Sequence, residues 1–162
     1  MAVTRAAAAA GGAGAGQLAV GAGGRAEAEQ IAAGARRVAV LGMKPETRAD
    51  QAAHYVAAYL KGAGVEVVPV PVYYPEVKEI LGVPVIRELR AVAGPIDILD
   101  VFRKPEDIPQ HLEEILEMRP ATVWLQAGIR CPEVEGRLAE AGINVVADRC
   151  LLVDHQNAVA RL

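Results

Sequence analysis

The sequence predicts an α/β fold, a single domain built on a doubly wound, parallel, five-stranded sheet. Three observations lead there. Five short runs rich in Val, Ile and Leu recur along the chain. Segments with apolar residues at helical spacing separate them, and the runs are continuously apolar, as befits strands covered on both faces. Strands alternating with helices imply parallel pairing with right-handed crossovers. A chain of 162 residues is enough for one ordinary core and short of two.

Taken in order, residues 1–24 are mostly Ala and Gly, with Ala6 to Ala10 followed by a Gly/Ala alternation to Gly16. Without large side chains to bury they cannot offset the entropy of ordering, so a disordered tail is expected, with the domain at 25–162. Arg5 and the lack of acidic residues would suit a targeting peptide, but the glycines interrupt any apolar segment of the length secretion needs. Ala26 to Ala35 suits a short helix and Val38-Ala39-Val40-Leu41 the first strand, ended by Gly42. Between Thr47 and Lys61, Ala52, Val56, Tyr59 and Leu60 recur at helical spacing, with Thr47 as the expected cap and Gly62 and Gly64 as the stop. Val65 to Val70 reads as the second strand, and Ile96 to Phe102 as the third, with short helices expected around Val77 to Leu81 and Ile86 to Val92 between them. Ile108, Leu112, Ile115 and Leu116 mark the next helix. Thr122 to Gln126 is the fourth strand, Pro132 to Ala141 a helix opened by its proline, and Ile143 to Ala147 the fifth strand.

Composition narrows the function. A net charge of -3 and one Trp, four Tyr and one Phe offer neither a basic field nor a stacking surface for nucleic acid. No run of 18 strongly apolar residues occurs, so no membrane span is expected. Cys131 and Cys150 make no disulfide framework and read as reduced thiols of a cytoplasmic protein. His54, His111 and His155 lack neighbours at metal-ligand spacing, and no motif for bond-making chemistry stands out, so no metal and no catalytic residue is expected.

In a parallel sheet the ligand sits beyond the carboxyl ends of the strands, where strand order reverses. That directs attention to the loop Gly42-Met43-Lys44-Pro45-Glu46-Thr47-Arg48, which would aim backbone N–H groups and a helix N-terminus at an anion, with Lys44, Thr47 and Arg48 adding charge and a hydroxyl. It also directs attention to Pro69 to Tyr74 after the second strand, to Phe102 to Pro105 after the third with Phe102 and Arg103 foremost, to Gln126 to Cys131 after the fourth with Gln126, Gly128 and Ile129 foremost, and to Asp148 to Cys150 after the fifth. Gly21-Ala22-Gly23-Gly24-Arg25-Ala26 matches a dinucleotide fingerprint, but lacks a proper strand before it and a ribose-binding acid after the next one. Asp148-Arg149-Cys150 near His155 would allow a thiolate nucleophile, though an incidental thiol fits better.

Val38 to Gly42, Ala53-His54-Tyr55-Val56, Asp97 to Arg103, Trp124 to Arg130 and Val146 to Leu151 together resemble the small stand-alone CoA-binding proteins of bacteria and archaea, from about residue 28 to the end. The resemblance implies a Rossmann-like CoA-binding domain, similar to that of the succinyl-CoA synthetase alpha subunit, without the partner domain that performs ligase chemistry. It implies coenzyme A or an acyl-CoA as ligand, gripped by its diphosphate at Gly42, Met43, Lys44, Thr47 and Arg48. Val70, Phe102, Arg103, Gln126, Gly128 and Ile129 would complete the site. The family's Asn-Pro after the second strand is absent: Pro69-Val70-Pro71-Val72 is followed by Tyr73 and Tyr74. Cys131 and Cys150 follow the fourth and fifth strands and are expected on the ligand side, near a CoA thiol. The alternative is an enzyme or enzyme subunit using a nucleotide cofactor in the same cleft, either an NAD-dependent dehydrogenase or an acyl-CoA ligase or transferase component. A protein partner or a homo-oligomer is left open.

Overall fold

The computed structural model describes residues 2–4 and 24–162. The parallel strands β2 (Arg37–Leu41), β3 (Glu66–Val70), β6 (Ile98–Val101), β7 (Thr122–Leu125) and β8 (Asn144–Ala147) lie in the order β3-β2-β6-β7-β8. Order therefore reverses between β2 and β6, whose paired residues run from Val38 opposite Ile98 to Leu41 opposite Val101. The fold is the single-domain, Rossmann-like α/β architecture the sequence predicts. A sixth strand, β1 (Ala2–Thr4), pairs antiparallel with β8. It falls inside the segment expected to be a structureless tail, which is corrected for these three residues. The rest of that segment, through residue 23, and all but the last three residues of the fingerprint match lie outside the described residues.

Strand alternation sends side chains to two cores. Val38 and Val40 of β2, Ile98, Trp124 and Val146 face α1 (Gly24–Gly34), α2 (Ala52–Gly62) and α5 (Leu151–Val159). Ala39, Leu41, Leu99, Val101, Val123, Leu125, Val145 and Ala147 face α3 (Leu112–Met118) and α4 (Pro132–Glu140). Each strand is thus covered on both sides, which is why the runs are apolar throughout. The lone Trp is fully buried, its indole N–H donated to the Arg149 carbonyl at 2.9 Å.

Several local expectations change. Val77 to Leu81 is not a helix: β4 (Glu79–Ile80) and β5 (Val83–Pro84) form a hairpin turned by Leu81 (φ 54°) and Gly82 (φ 71°), the left-handed pair that a tight two-residue turn requires. Ile86 to Val92 contains only a 3₁₀ turn at Leu89–Ala91, and the Ile86 N–H is donated to the Pro69 carbonyl of β3 at 2.9 Å instead of serving a helix. Thr47 caps nothing. It sits in a 3₁₀ turn at Glu46–Arg48, and α2 starts only after Gln51. Helix α5 is absent from the sequence expectation because its buried face is Leu151, Asp154 and His155, a stripe too polar to register as apolar periodicity. Those polar groups are paired: Asp154 holds Arg149 through two bonds of 2.7 and 2.6 Å, and His155 Nδ1 meets the Tyr59 hydroxyl of α2 at 2.7 Å.

Gly42, which ends β2, is fixed by close approach. Its N–H reaches the Val70 carbonyl at 2.9 Å, its φ is +82°, and a Cβ there would stand 2.4 Å from the Phe102 carbonyl oxygen after β6. Both the left-handed backbone and the collision oppose a side chain. Gly42→Ala should destabilise the fold by about 2–4 kcal/mol and lower the melting temperature by roughly 5–15 °C. An unchanged melting curve would show that the two loops do not pass this closely.

Candidate functional site

At the carboxyl ends of β2 and β6, where strand order reverses, lies a cleft of about 390 Å³ lined by Lys44, Gln51, Ala52, Ala53, Phe102, Arg103, Lys104, Pro105 and Ile129. A hollow of the same volume on the outer edge of β3 lies instead where that strand begins, beside Arg37, Val65 and Glu66. Position at the switch point favours the first as the ligand site.

The cleft's β2 side is built by clamping the loop onto α2. Lys44 gives its backbone N–H to the Ala53 carbonyl at 3.1 Å and accepts at its own carbonyl from His54 Nδ1 at 2.8 Å, so His54 carries its proton on Nδ1. The Lys44 ammonium is bonded to the Gln51 side-chain carbonyl, which holds the cation over the start of α2. The loop's own N–H groups are less available than the sequence suggests: those of Lys44, Arg48 and Ala49 are taken by Ala53, Pro45 and Glu46. Ala52 and Ala53, in the first turn of α2 where a helix leaves its N–H groups without internal partners, line the cleft.

The β6 side of the cleft is built by Phe102 and Arg103. Phe102 is half-buried, and Arg103 is only 8% exposed. Three side chains hold the guanidinium: its Nε–H is donated to His111 Nε2 at 3.2 Å, the Asp107 carboxylate lies 3.9 Å away, and the Tyr73 ring centroid is 5.7 Å from Cζ. His111 must be neutral to accept. Burial, and then the positive Arg103, hold its pKa below the usual histidine value, while Glu114 and Asp107 pull it up.

Of the residues expected in the site, Lys44, Phe102, Arg103 and Ile129 come together in this cleft. Gly42 supports it from behind. Met43 is buried in the core that holds Trp124 and Val40, and Val70 in the opposite core. Thr47 and Arg48 are exposed on their turn and do not line the cleft. Gly128 gives its N–H to Asp148 Oδ1 at 2.6 Å, so that donor is spent tying the β7 loop to the β8 loop. Cys131 and Cys150 are free thiols, the first buried and the second half-buried at the start of α5, and neither lines the cleft. Sequence reading missed Gln51, and it marked the strand-end segments that hold Lys104, Pro105 and Tyr73 without singling those residues out. The last, a large aromatic shortly after a strand end, carried the signal that could have found it.

Gln126 serves the interior. Its side-chain N–H is donated to Asp100 Oδ1 at 2.7 Å, while Asp100 is wholly buried and its Oδ2 has no hydrogen-bond partner among the described residues. Burial disfavours the carboxylate and raises the Asp100 pKa to about 8, against the smaller opposing pull of the Gln126 bond.

Residues 36–156 match the model of the CoA binding domain family, the second of that name. The chain belongs to that family. Uncharacterized protein YneT of Bacillus subtilis (strain 168) is similar to this CoA-binding domain, 37% identical over 131 residues that cover 81% of this chain and 93% of the relative. Among solved structures, that of cell-free ID.343 from Thermus thermophilus is 43% identical with a TM-score of 0.75, covering 83% of this chain and 98% of its own. A hypothetical protein from Pyrococcus horikoshii OT3 is 26% identical with a TM-score of 0.73, covering 83% and 92%. Among the described residues no helix is long and apolar enough to cross a membrane, and no group of three or more His, Cys, Asp or Glu could hold a metal ion.

Asp100 sets a measurable pH dependence. In the unfolded chain it ionises near pH 3.9, in the fold only near 8, so between those values folding retains a proton that unfolding would release. Its contribution to stability therefore falls as pH rises through that window, by up to about 1.4 kcal/mol per unit, and is level below and above it. Asp100→Asn removes the titration. Relative to the wild type, its stability in urea titrations should improve steadily from pH 5 to pH 8. A constant difference across that range would mean that Asp100 is ionised in the fold.

Proposed function

We propose that this chain binds coenzyme A or an acyl-CoA in the cleft between β2 and β6, as a binding domain with no catalytic residue of its own. The observation that carries this reading is the composition of the cleft at the switch point, inside a region that matches a CoA-binding family. Three cations, Lys44, Arg103 and Lys104, and the start of a helix at Ala52 adjoin apolar walls from Phe102, Pro105 and Ile129. Charged groups and helix N–H groups suit a diphosphate, and apolar walls suit the pantetheine arm, which is long and weakly polar.

The family's phosphate loop carries over in part. Lys44 keeps the role of phosphate cation, Arg103 joins it from β6, and the N–H groups at the start of α2 take the place of the loop's own. Thr47 and Arg48 drop out, since neither lines the cleft. An NAD-type ligand is disfavoured because β2 and β3 end in Leu41 and Val70, neither of them the acid that pairs with a free ribose diol.

Calorimetry and thermal shift test this together. CoA should stabilise the fold, by about 2.7 kcal/mol at a hundred times its dissociation constant, and NAD far less. Lys44→Ala should weaken CoA binding by roughly tenfold or more, the worth of a charge-assisted contact, and Arg48→Ala should leave it within about a factor of two. Stabilisation by NAD equal to that by CoA would overturn the reading. So would full affinity in Lys44→Ala.

A further inference from the structure

We propose that Tyr73 is the stacking platform for a purine base at the rim of this cleft, and so the residue that selects ligands bearing a nucleoside; the proposal rests on the reading of the cleft as a CoA site. Tyr73 is 64% exposed, yet its loop is tied down. One guanidinium, that of Arg87, donates to the carbonyls of Tyr73 at 3.2 Å, Tyr74 at 2.9 Å and Pro75 at 3.5 Å, and to that of Val77 as well. Tyr74 itself is left-handed, with φ +64°. A solvated loop tip needs none of this, because ordering an exposed segment costs entropy that water contacts do not return. The ring is being presented.

What it is presented to follows from its neighbour. Arg103, which lines the cleft, lies toward the ring, and His111 and Asp107 hold the guanidinium in place. With so much of Tyr73 exposed, room remains on its ring for a second flat group. Bases stack on aromatic rings whatever their identity, because every base has a π-face, and a guanidinium adjacent to the stack is also suited to a phosphate. A ligand with base and phosphate in one nucleotide satisfies Tyr73 and Arg103 together. A pantetheine arm alone has nothing to stack there and uses Phe102, Pro105 and Ile129.

Tyr73→Ala separates presentation from mere shielding of Arg103, and exposure of the side chain makes the substitution safe for folding. Isothermal titration of the full chain with CoA and with 4′-phosphopantetheine, which lacks the nucleoside, is the experiment. Tyr73→Ala should lose roughly tenfold in affinity for CoA, within the range measured for single base-aromatic stacks, and nothing for 4′-phosphopantetheine. Tyr73→Phe should keep CoA affinity within about a factor of two, since stacking does not use the hydroxyl. Equal losses for both ligands would overturn the proposal by making Tyr73 a support for Arg103, and so would unchanged CoA affinity in Tyr73→Ala while Lys44→Ala loses it. Wild-type protein that binds neither ligand would overturn the CoA reading itself.

Discussion

The close passage of two backbones at Gly42 underlies the site. Where β2 ends and β6 ends, the chain must turn away in opposite directions for the sheet to be doubly wound, and here the two exits cross with no room for a side chain. Because Gly42 lets them touch, the β6 exit runs directly against the β2 loop. Phe102 and Arg103 are thereby delivered to the same cleft as Lys44, and the Arg103 side chain packs along the glycine. A bulkier residue would part the loops and with them the two halves of the site. The cleft is thus a consequence of strand order, made narrow by one missing Cβ.

Around that crossing the polar groups are committed before any ligand arrives. Arg103 has His111 and Asp107, Lys44 has Gln51, and Asp148 takes the Gly128 N–H from a left-handed backbone of its own, with φ +58°. Such prior engagement fixes positions and reduces the entropy lost on binding, but a ligand must then match or displace each bond. Neutral partners suit this better than charged ones. Gln51 holds Lys44 without neutralising it, leaving that charge available to an anion, whereas Arg103 has neutral His111 on one side and the Asp107 carboxylate at 3.9 Å on the other, and the ion pair Arg149–Asp154 fastens the β8 loop to α5.

The parts legible in the sequence were those governed by burial of apolar surface, the strongest force driving the chain to fold. Val38 to Leu41 and Thr122 to Leu125 could be nothing but covered strands, and with the strands came the end of the sheet where a ligand would sit. Features set by single backbone angles or by polar pairs were not legible. The hairpin at Leu81-Gly82 depends on a Leu adopting a positive φ, and α5 hides its periodicity behind Asp154 and His155, whose partners lie far away on the chain or just before the helix. The same limit applied within the site. Strand ends identified Phe102-Arg103 as a pair, but the depth of each depended on His111 eight residues later and Tyr73 thirty residues earlier, contacts that no local pattern encodes.

Net charge and local charge point in different directions, and the difference bears on ligand size. A chain at -3 repels an extended polyanion, since the far field of the whole surface governs that encounter. Within a Debye length of roughly 8 Å at physiological salt, however, a bound group senses Lys44, Arg103 and Lys104 around one cleft, partly offset by carboxylates such as Asp107. The apolar walls between those cations lower the effective dielectric and strengthen each contact. A ligand with compact anionic groups joined to a long, nearly neutral arm gains from the near field and is little affected by the far one. Coenzyme A, the ligand proposed above, has that charge distribution, which is why the weak global charge and the cationic cleft are consistent with each other.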